Sequence, residues 1–145
     1  AGNIPAPGDM YNRIEFITIA SQGDAQEFGE LKQGHQYTLD GASNSTRAIA
    51  WGGAGPDTDT ATNIIEFITI ATKGNGTNFG DMTRAVSNGS GATASSTRSV
   101  CFGGNSQTTM EYVEISTQGN AVDFGDATSG RNNGASFSNG HGGLG

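Results

Sequence analysis

Asn63-Ile-Ile-Glu-Phe-Ile-Thr-Ile-Ala-Thr-Lys-Gly-Asn-Gly-Thr-Asn-Phe-Gly-Asp-Met82 decides the fold, because the chain writes this stretch three times. An upstream copy reads Asn12-Arg-Ile-Glu-Phe-Ile-Thr-Ile-Ala-Ser-Gln-Gly-Asp-Ala-Gln-Glu-Phe-Gly-Glu-Leu31. A downstream copy reads Thr108-Thr-Met-Glu-Tyr-Val-Glu-Ile-Ser-Thr-Gln-Gly-Asn-Ala-Val-Asp-Phe-Gly-Asp-Ala127. Glu15, Glu66 and Glu111 mark the register, at offsets of 51 and 45 residues. Self-similarity at such a period signals a repeat architecture, in which each unit buries its faces against its neighbours.

Within each copy the apolar residues alternate as in a strand. Ile65, Phe67 and Thr69 fall on one face, and Glu66, Ile68 and Ile70 on the other. The first copy repeats this with Ile14, Phe16, Thr18 and Ala20 against Glu15, Ile17 and Ile19. The third is weaker, with Met110, Tyr112 and Glu114 against Glu111, Val113 and Ile115. Both faces are largely apolar, so the strand is expected to be covered on both sides. Gln22-Gly23-Asp24, Lys73-Gly74-Asn75 and Gln118-Gly119-Asn120 follow as tight turns, with the glycine expected to supply φ > 0. Phe28-Gly29, Phe79-Gly80 and Phe124-Gly125 then mark a second, short strand anchored by one aromatic.

A polar Gly/Ser-rich segment follows each pair: Lys32–Thr46, Thr83–Thr97 and Thr128–Gly140. It is read as one irregular strand and one long loop. Each of the first two units closes on an apolar strand ending in a double glycine, Arg47-Ala-Ile-Ala-Trp-Gly-Gly53 and Arg98-Ser-Val-Cys-Phe-Gly-Gly104. Ile49 and Trp51 share one face, as do Val100 and Phe102. The small residues Ala48, Ala50, Ser99 and Cys101 line the other, as if a second sheet came close. The third copy reads Asn139-Gly-His-Gly-Gly-Leu-Gly145, with His141 at the Arg position and no apolar strand. Residues 1–11 align without a gap on residues 52–62, Pro5 falling on Pro56, which suggests whole units cut at one point of the repeat. The segment His141–Leu144 and residues 1–11 are expected to meet each other or a neighbouring chain. The expected organisation is a single repeat domain, 1–145, with units at about 1–53, 54–104 and 105–145.

Composition narrows the class. A chain of 145 residues fits one domain, and no helical period of useful length appears. With a net charge of -7 and only 7 Lys plus Arg, there is no basic stripe for nucleic acid. No apolar run approaches the 18 or so residues of a membrane span. Ala1-Gly-Asn-Ile-Pro5 has neither a basic nor an apolar region of a secretory signal. A single cysteine, Cys101, excludes an internal disulfide framework and reads as a small core residue.

The order of these pieces resembles the kelch repeat, a four-stranded β-propeller blade with a period of about 50 residues. Trp51-Gly52-Gly53 and Phe102-Gly103-Gly104 match its double glycine, and Phe28, Phe79 and Phe124 stand where that family usually has Trp. Leu31 and Met82 fit the next apolar position, and Arg84 the basic residue after it. Asp-Phe-Gly-Asp, Ser-Thr-Arg and the closing Ser-Asn-Gly-His-Gly-Gly-Leu are similar to kelch-like proteins of marine tailed phages. The resemblance implies an all-β chain of three propeller-type blades. Three blades do not close a ring, since propellers take 4–8, so either oligomerisation is expected to complete it, a dimer giving six blades being simplest, or the chain is part of a longer product. A pseudo-threefold β-prism or β-trefoil is the alternative for three repeats in this length.

Residue chemistry points away from catalysis. Glu15, Glu66 and Glu111, with Arg47 and Arg98, recur at equivalent places, which suggests a repeated ion pair or a carboxylate capping backbone N–H groups between units. Asp57-Thr-Asp59 offers oxygen ligands for Ca²⁺ but lacks the glycine and distal Glu of an EF-hand loop. His35 and His141 share no motif with each other or with Cys101. Trp51 is expected in the core rather than exposed for a sugar. The expected protein is therefore a non-enzymatic structural or adhesion module of a virion (head fibre, decoration or tail appendage), without catalytic residues, metal or cofactor. Its expected partners are other copies of itself, other virion proteins and host glycans, with no nucleic acid and no membrane insertion. A carbohydrate-binding lectin domain, secreted or at a cell surface, is the alternative.

Overall fold

Among the described residues ten strands carry the fold, and the three copies of the repeat stretch supply six of them. The computed structural model describes residues 11–35, 40–54 and 60–138. The strands are β1 (Tyr11–Phe16), β2 (Gln26–His35), β3 (Asp40–Ser43), β4 (Arg47–Trp51), β5 (Thr62–Thr69), β6 (Thr77–Val86), β7 (Ser90–Ala94), β8 (Arg98–Gly103), β9 (Gln107–Glu114) and β10 (Val122–Arg131). The protein is all-β. Sheet 1 is β1–β2, sheet 2 is β3–β4–β5–β6 and sheet 3 is β7–β8–β9–β10, each an antiparallel meander and none closed on itself.

Local chemistry explains the hairpins. Asn44 Oδ1 accepts from the N–H groups of Thr46 and Arg47, both at 2.9 Å, and pins the β3–β4 turn. Ser95 Oγ accepts from Thr97 and Arg98 in the equivalent β7–β8 turn. The double glycines take φ of 56° and 113° (Gly52, Gly53) and 69° and 82° (Gly103, Gly104), a region that L side chains avoid. After Gly104, Asn105 and Ser106 adopt φ of 50° and 59°, the pattern of a type I′ hairpin. This turn closes β8 onto β9 sooner than residues 53–61 connect β4 to β5. That is why the repeat offset shrinks from 51 to 45.

The core lies between sheets 2 and 3. Ile49, Trp51, Ile65, Phe67, Phe79, Met82 and Val86 from sheet 2 meet Cys101, Val113, Ile115 and Ala121 from sheet 3. Each fully buried large side chain contributes about 1.5–3 kcal/mol relative to exposure. The strand alternation read from sequence holds here: Ile65 and Phe67 face sheet 3, and Val113 and Ile115 face back towards sheet 2. An edge-on aromatic pair ties the long strands together in every repeat: Phe16–Phe28 at 6.2 Å, Phe67–Phe79 at 5.8 Å and Tyr112–Phe124 at 6.0 Å.

Three expectations are corrected. The strand after the tight turn is not short: β2, β6 and β10 each run ten residues. They extend into the polar segments, which also hold the short strands β3 and β7. The turn glycines are not there for φ > 0, since Gly23 and Gly119 have none and Gly74, at 159°, sits at the edge of the extended region. Finally, the repeat strand is not covered on both sides in every copy, since Ile17 and Ile19 are exposed. The double glycines lie inside the sheets, between β4 and β5 and between β8 and β9. One sheet gives way to the next between β2 and β3, and again between β6 and β7.

Candidate functional site

The chemistry-bearing residues of the repeat converge at the junctions between sheets. On β5, the Glu66 side chain turns away from the Ile65/Phe67 face and points at sheet 1. Its Oε1 accepts from the Lys32 N–H at 2.8 Å. On β9, Glu111 repeats the arrangement against sheet 2, with Oε2 accepting from the Thr83 N–H at 2.7 Å. Both carboxylates are buried. A buried carboxylate is costly unless hydrogen-bonded and charge-paired, and each has a basic side chain nearby. Arg84 Nε lies 2.8 Å from Glu111 Oε1, while His35 Nε2 lies 3.8 Å from Glu66 Oε2, beyond hydrogen-bond range.

A second strip of bonds runs beside each carboxylate. Gly74 N–H donates to Phe28 O at 3.0 Å and Gly76 N–H to Glu30 O at 2.7 Å. The Asn75 side chain accepts from the Glu30 N–H at 3.1 Å. One repeat later, Gly119 donates to Phe79 O at 2.9 Å, Ala121 to Asp81 O at 2.8 Å, and Asn120 accepts from the Asp81 N–H at 3.1 Å. The tight turn of each unit thus clasps the long strand of the preceding one. That contact is why Gly29 and Gly80 must be glycine. A Cβ there would stand 2.1 Å from Gly74 O or 2.2 Å from Gly119 O.

Of the two readings of the recurring charges, the carboxylate cap on backbone N–H groups is the one present. Arg47 and Arg98 lie on the opposite face of the sheet from Glu66 and Glu111. Arg47 stacks on Phe67 at 4.7 Å and donates to Ile115 O at 2.8 Å. Arg98 covers Tyr112 and pairs with the exposed Glu114 at 2.6 Å. Trp51 is buried, its indole N–H donating to Ser99 Oγ at 3.0 Å. Cys101 is buried, and burial pushes its thiol up to about 12, offset in part by the hydrogen bond with Ser90. Burial likewise raises the carboxyl of Asp40 from its ordinary value, with the Ser90 hydroxyl working against it.

Among the described residues, no three His, Cys, Asp or Glu side chains converge to hold a metal ion. Asp57, Asp59 and His141 lie outside the described residues, as do the two segments expected to meet, 1–10 and 141–144. An apolar cleft of about 200 Å³ opens between sheets 1 and 2, lined by Ile14, Leu31, Ala48, Ile49, Phe67 and Ile68. It has no convergent polar groups. What sequence reasoning missed was His35 as the neighbour of Glu66, and Lys32 and Thr83 as donors through their backbone. Arg84 was singled out only as a repeat position. No protein-family model matches the chain, and a search of the curated proteins returns no relative.

Proposed function

We propose that the chain is a non-enzymatic structural repeat module whose sheets are β-propeller blades, of the kind that serves as a virion appendage. One observation carries the blade reading. β3 and β7, the first strands of sheets 2 and 3, lie side by side in the same direction, although strands within each sheet are antiparallel. Asn44, just after β3, donates from Nδ2 to Ser96 O just after β7, at 2.9 Å. Residues 134–138 then run along β7 in the same sense: Gly134 N–H donates to Gly89 O at 3.2 Å, Ser136 Oγ to Ala92 O, and Ser138 Oγ to Ala94 O at 2.6 Å. Parallel first strands feeding outward meanders are how blades line a propeller axis.

Glu66, Glu111, Asn75, Asn120, Gly29 and Gly80 are all engaged in joining one sheet to the next, which supports a scaffold over a catalyst. The burial of Trp51 removes the single tryptophan from the surface that a lectin would present to a sugar. The virion assignment rests on the resemblance of the repeat to kelch-like phage proteins, and other virion proteins and host glycans follow from it as partners. Peptide mass spectrometry of purified phage particles encoding the chain tests it. Copies of the chain that co-purify with intact particles support the assignment, and particles devoid of it overturn the assignment. A glycan array tests the lectin alternative, which saturable sugar binding would favour.

A further inference from the structure

The junction chemistry appears twice inside the chain, and its two halves appear once more, separated, on the outer faces. The back of sheet 1 carries the carboxylate half. Glu15 occupies the position of Glu66 and Glu111, and Gly23, Asp24 and Ala25 occupy the positions of the clasping turns. Glu15 is exposed and has no side-chain or N–H partner among the described residues. Beside it, Ile17 and Ile19 are 62% and 94% exposed, whereas their counterparts Val113 and Ile115 in sheet 3 are 3% and 0% exposed, and those in sheet 2, Ile68 and Ile70, are half-buried and 42% exposed. The front of sheet 3 carries the other half. Thr128 stands at the position of Lys32 and Thr83, and Phe124 and Asp126 at those of Phe79 and Asp81. Phe124 is 51% exposed where Phe79 is 3%. Gly125 stands where Gly29 and Gly80 admit a neighbour's turn. A Cβ there would meet only Met110 Cε at 3.8 Å, although its own φ of 130° also favours glycine.

The cation is present as well. Arg131 stands at the register position of His35, the residue next to Glu66 Oε2, and is exposed on β10. Each forward face therefore carries a basic side chain near the site its carboxylate takes: His35 on sheet 1, Arg84 on sheet 2 and Arg131 on sheet 3. A partner of unrelated shape would need to reproduce a carboxylate, two turn N–H groups and two isoleucines at blade spacing. The chain itself supplies all of them.

We propose that the back of sheet 1 and the front of sheet 3 are the two halves of a head-to-tail interface between copies of this chain. In it, Glu15 of one copy accepts from the Thr128 N–H of the next, with Arg131 beside the carboxylate. The turn at Gly23–Ala25 clasps the backbone of Phe124 and Asp126. Ile17, Ile19 and Phe124 are covered as Val113, Ile115 and Phe79 are inside the chain. Because the two patches differ, the contact is heterologous: it closes a ring where the rotation per unit allows and otherwise extends as a filament. The proposal rests on the blade reading above but not on the virion assignment.

Light scattering on the full chain, with charge-swapped variants, tests it. The wild type is expected to show a mass of several times 14.8 kDa that falls on dilution. Glu15→Arg sets two guanidinium groups against each other at every junction, and Arg131→Glu sets two carboxylates against each other. Each variant alone is expected at 14.8 kDa with an unchanged far-ultraviolet circular dichroism spectrum, since both side chains are exposed. An equimolar mixture of the two variants lets a doubly cationic junction give way to a pairing of the introduced guanidinium with the introduced carboxylate. The same mixture also pairs the unchanged Glu15 of one variant with the unchanged Arg131 of the other, so it is expected to regain the multimeric mass of the wild type. A wild type that stays at 14.8 kDa at all concentrations overturns the proposal. So does an assembly that persists in both single variants, or single variants whose mixture stays monomeric. Absence of the chain from phage particles would leave this result untouched, so the two readings fail separately.

Discussion

Glu111 holds the backbone N–H of Thr83 at 2.7 Å across the junction between sheets 2 and 3, and the bond joins two repeats rather than two parts of one. Glu66 and Lys32 form the same bond one junction earlier. A carboxylate in this place fixes the register of neighbouring sheets, because it satisfies a donor that otherwise would be buried without a partner.

Replacing Glu111 by Ala is therefore expected to cost about 3–5 kcal/mol, the range for removing one partner of a buried pair. It leaves both the Thr83 N–H and the Arg84 guanidinium unmatched. Urea unfolding measures it. Glu114→Ala serves as contrast, because that carboxylate pairs with Arg98 on the exposed face and its loss is expected to leave the midpoint almost unmoved.

Gly80→Ala is expected to force the turn at Gly119 away from β6, since the added methyl would stand 2.2 Å from Gly119 O. Overpacking of this kind costs about 1–3 kcal/mol. Gly119→Ala has nothing within 4 Å of the new Cβ and is expected to change stability by less than about 0.5 kcal/mol. Equal thermal midpoints for the two variants would contradict the close approach.

Ser99→Ala removes the acceptor of the Trp51 indole N–H and strands a buried donor. The expected loss is about 1–3 kcal/mol. Trp51 is the single tryptophan, so its fluorescence reports the urea transition directly. Iodide is expected to quench it only after unfolding.

Cys101 should be inert to thiol reagents at pH 8 in the folded protein and reactive in denaturant. Burial raises its folded thiol to about 12, above the ordinary range near 8.5. The folded state then holds a proton that the unfolded state gives up. The stability from this group is complete below about pH 8.5 and is lost as pH rises towards 12. Melting temperatures of wild type and Cys101→Ala across that window check the sign: the wild type is expected to lose more.

Much of the fold was legible in one repeat. The alternation of Ile65 and Phe67 against Glu66 named both faces of β5, because side-chain direction in a strand follows from position alone. The aromatic anchor was legible for a similar reason: Phe28, Phe79 and Phe124 keep a fixed spacing from the strand they stack on. The partners of the glutamates were not. Arg47 and Arg98 drew attention because they are charged and recur, but the main donors to the carboxylates are the Lys32 and Thr83 N–H groups. A backbone donor has no side-chain signature, so no residue type announces it.

By itself the sequence determined that the chain is a three-fold repeat of alternating strands, and which residues share a face of β5. The tertiary structure alone decided where one sheet ends and the next begins, since a period is the same wherever it is cut. It also decided why Gly29 and Gly80 are glycine, because that requirement comes from the carbonyl of a neighbouring unit. The same neighbour explains Glu15. Its counterparts are buried only because another sheet lies against them, and the face that carries Glu15 is chemically equipped to receive one more.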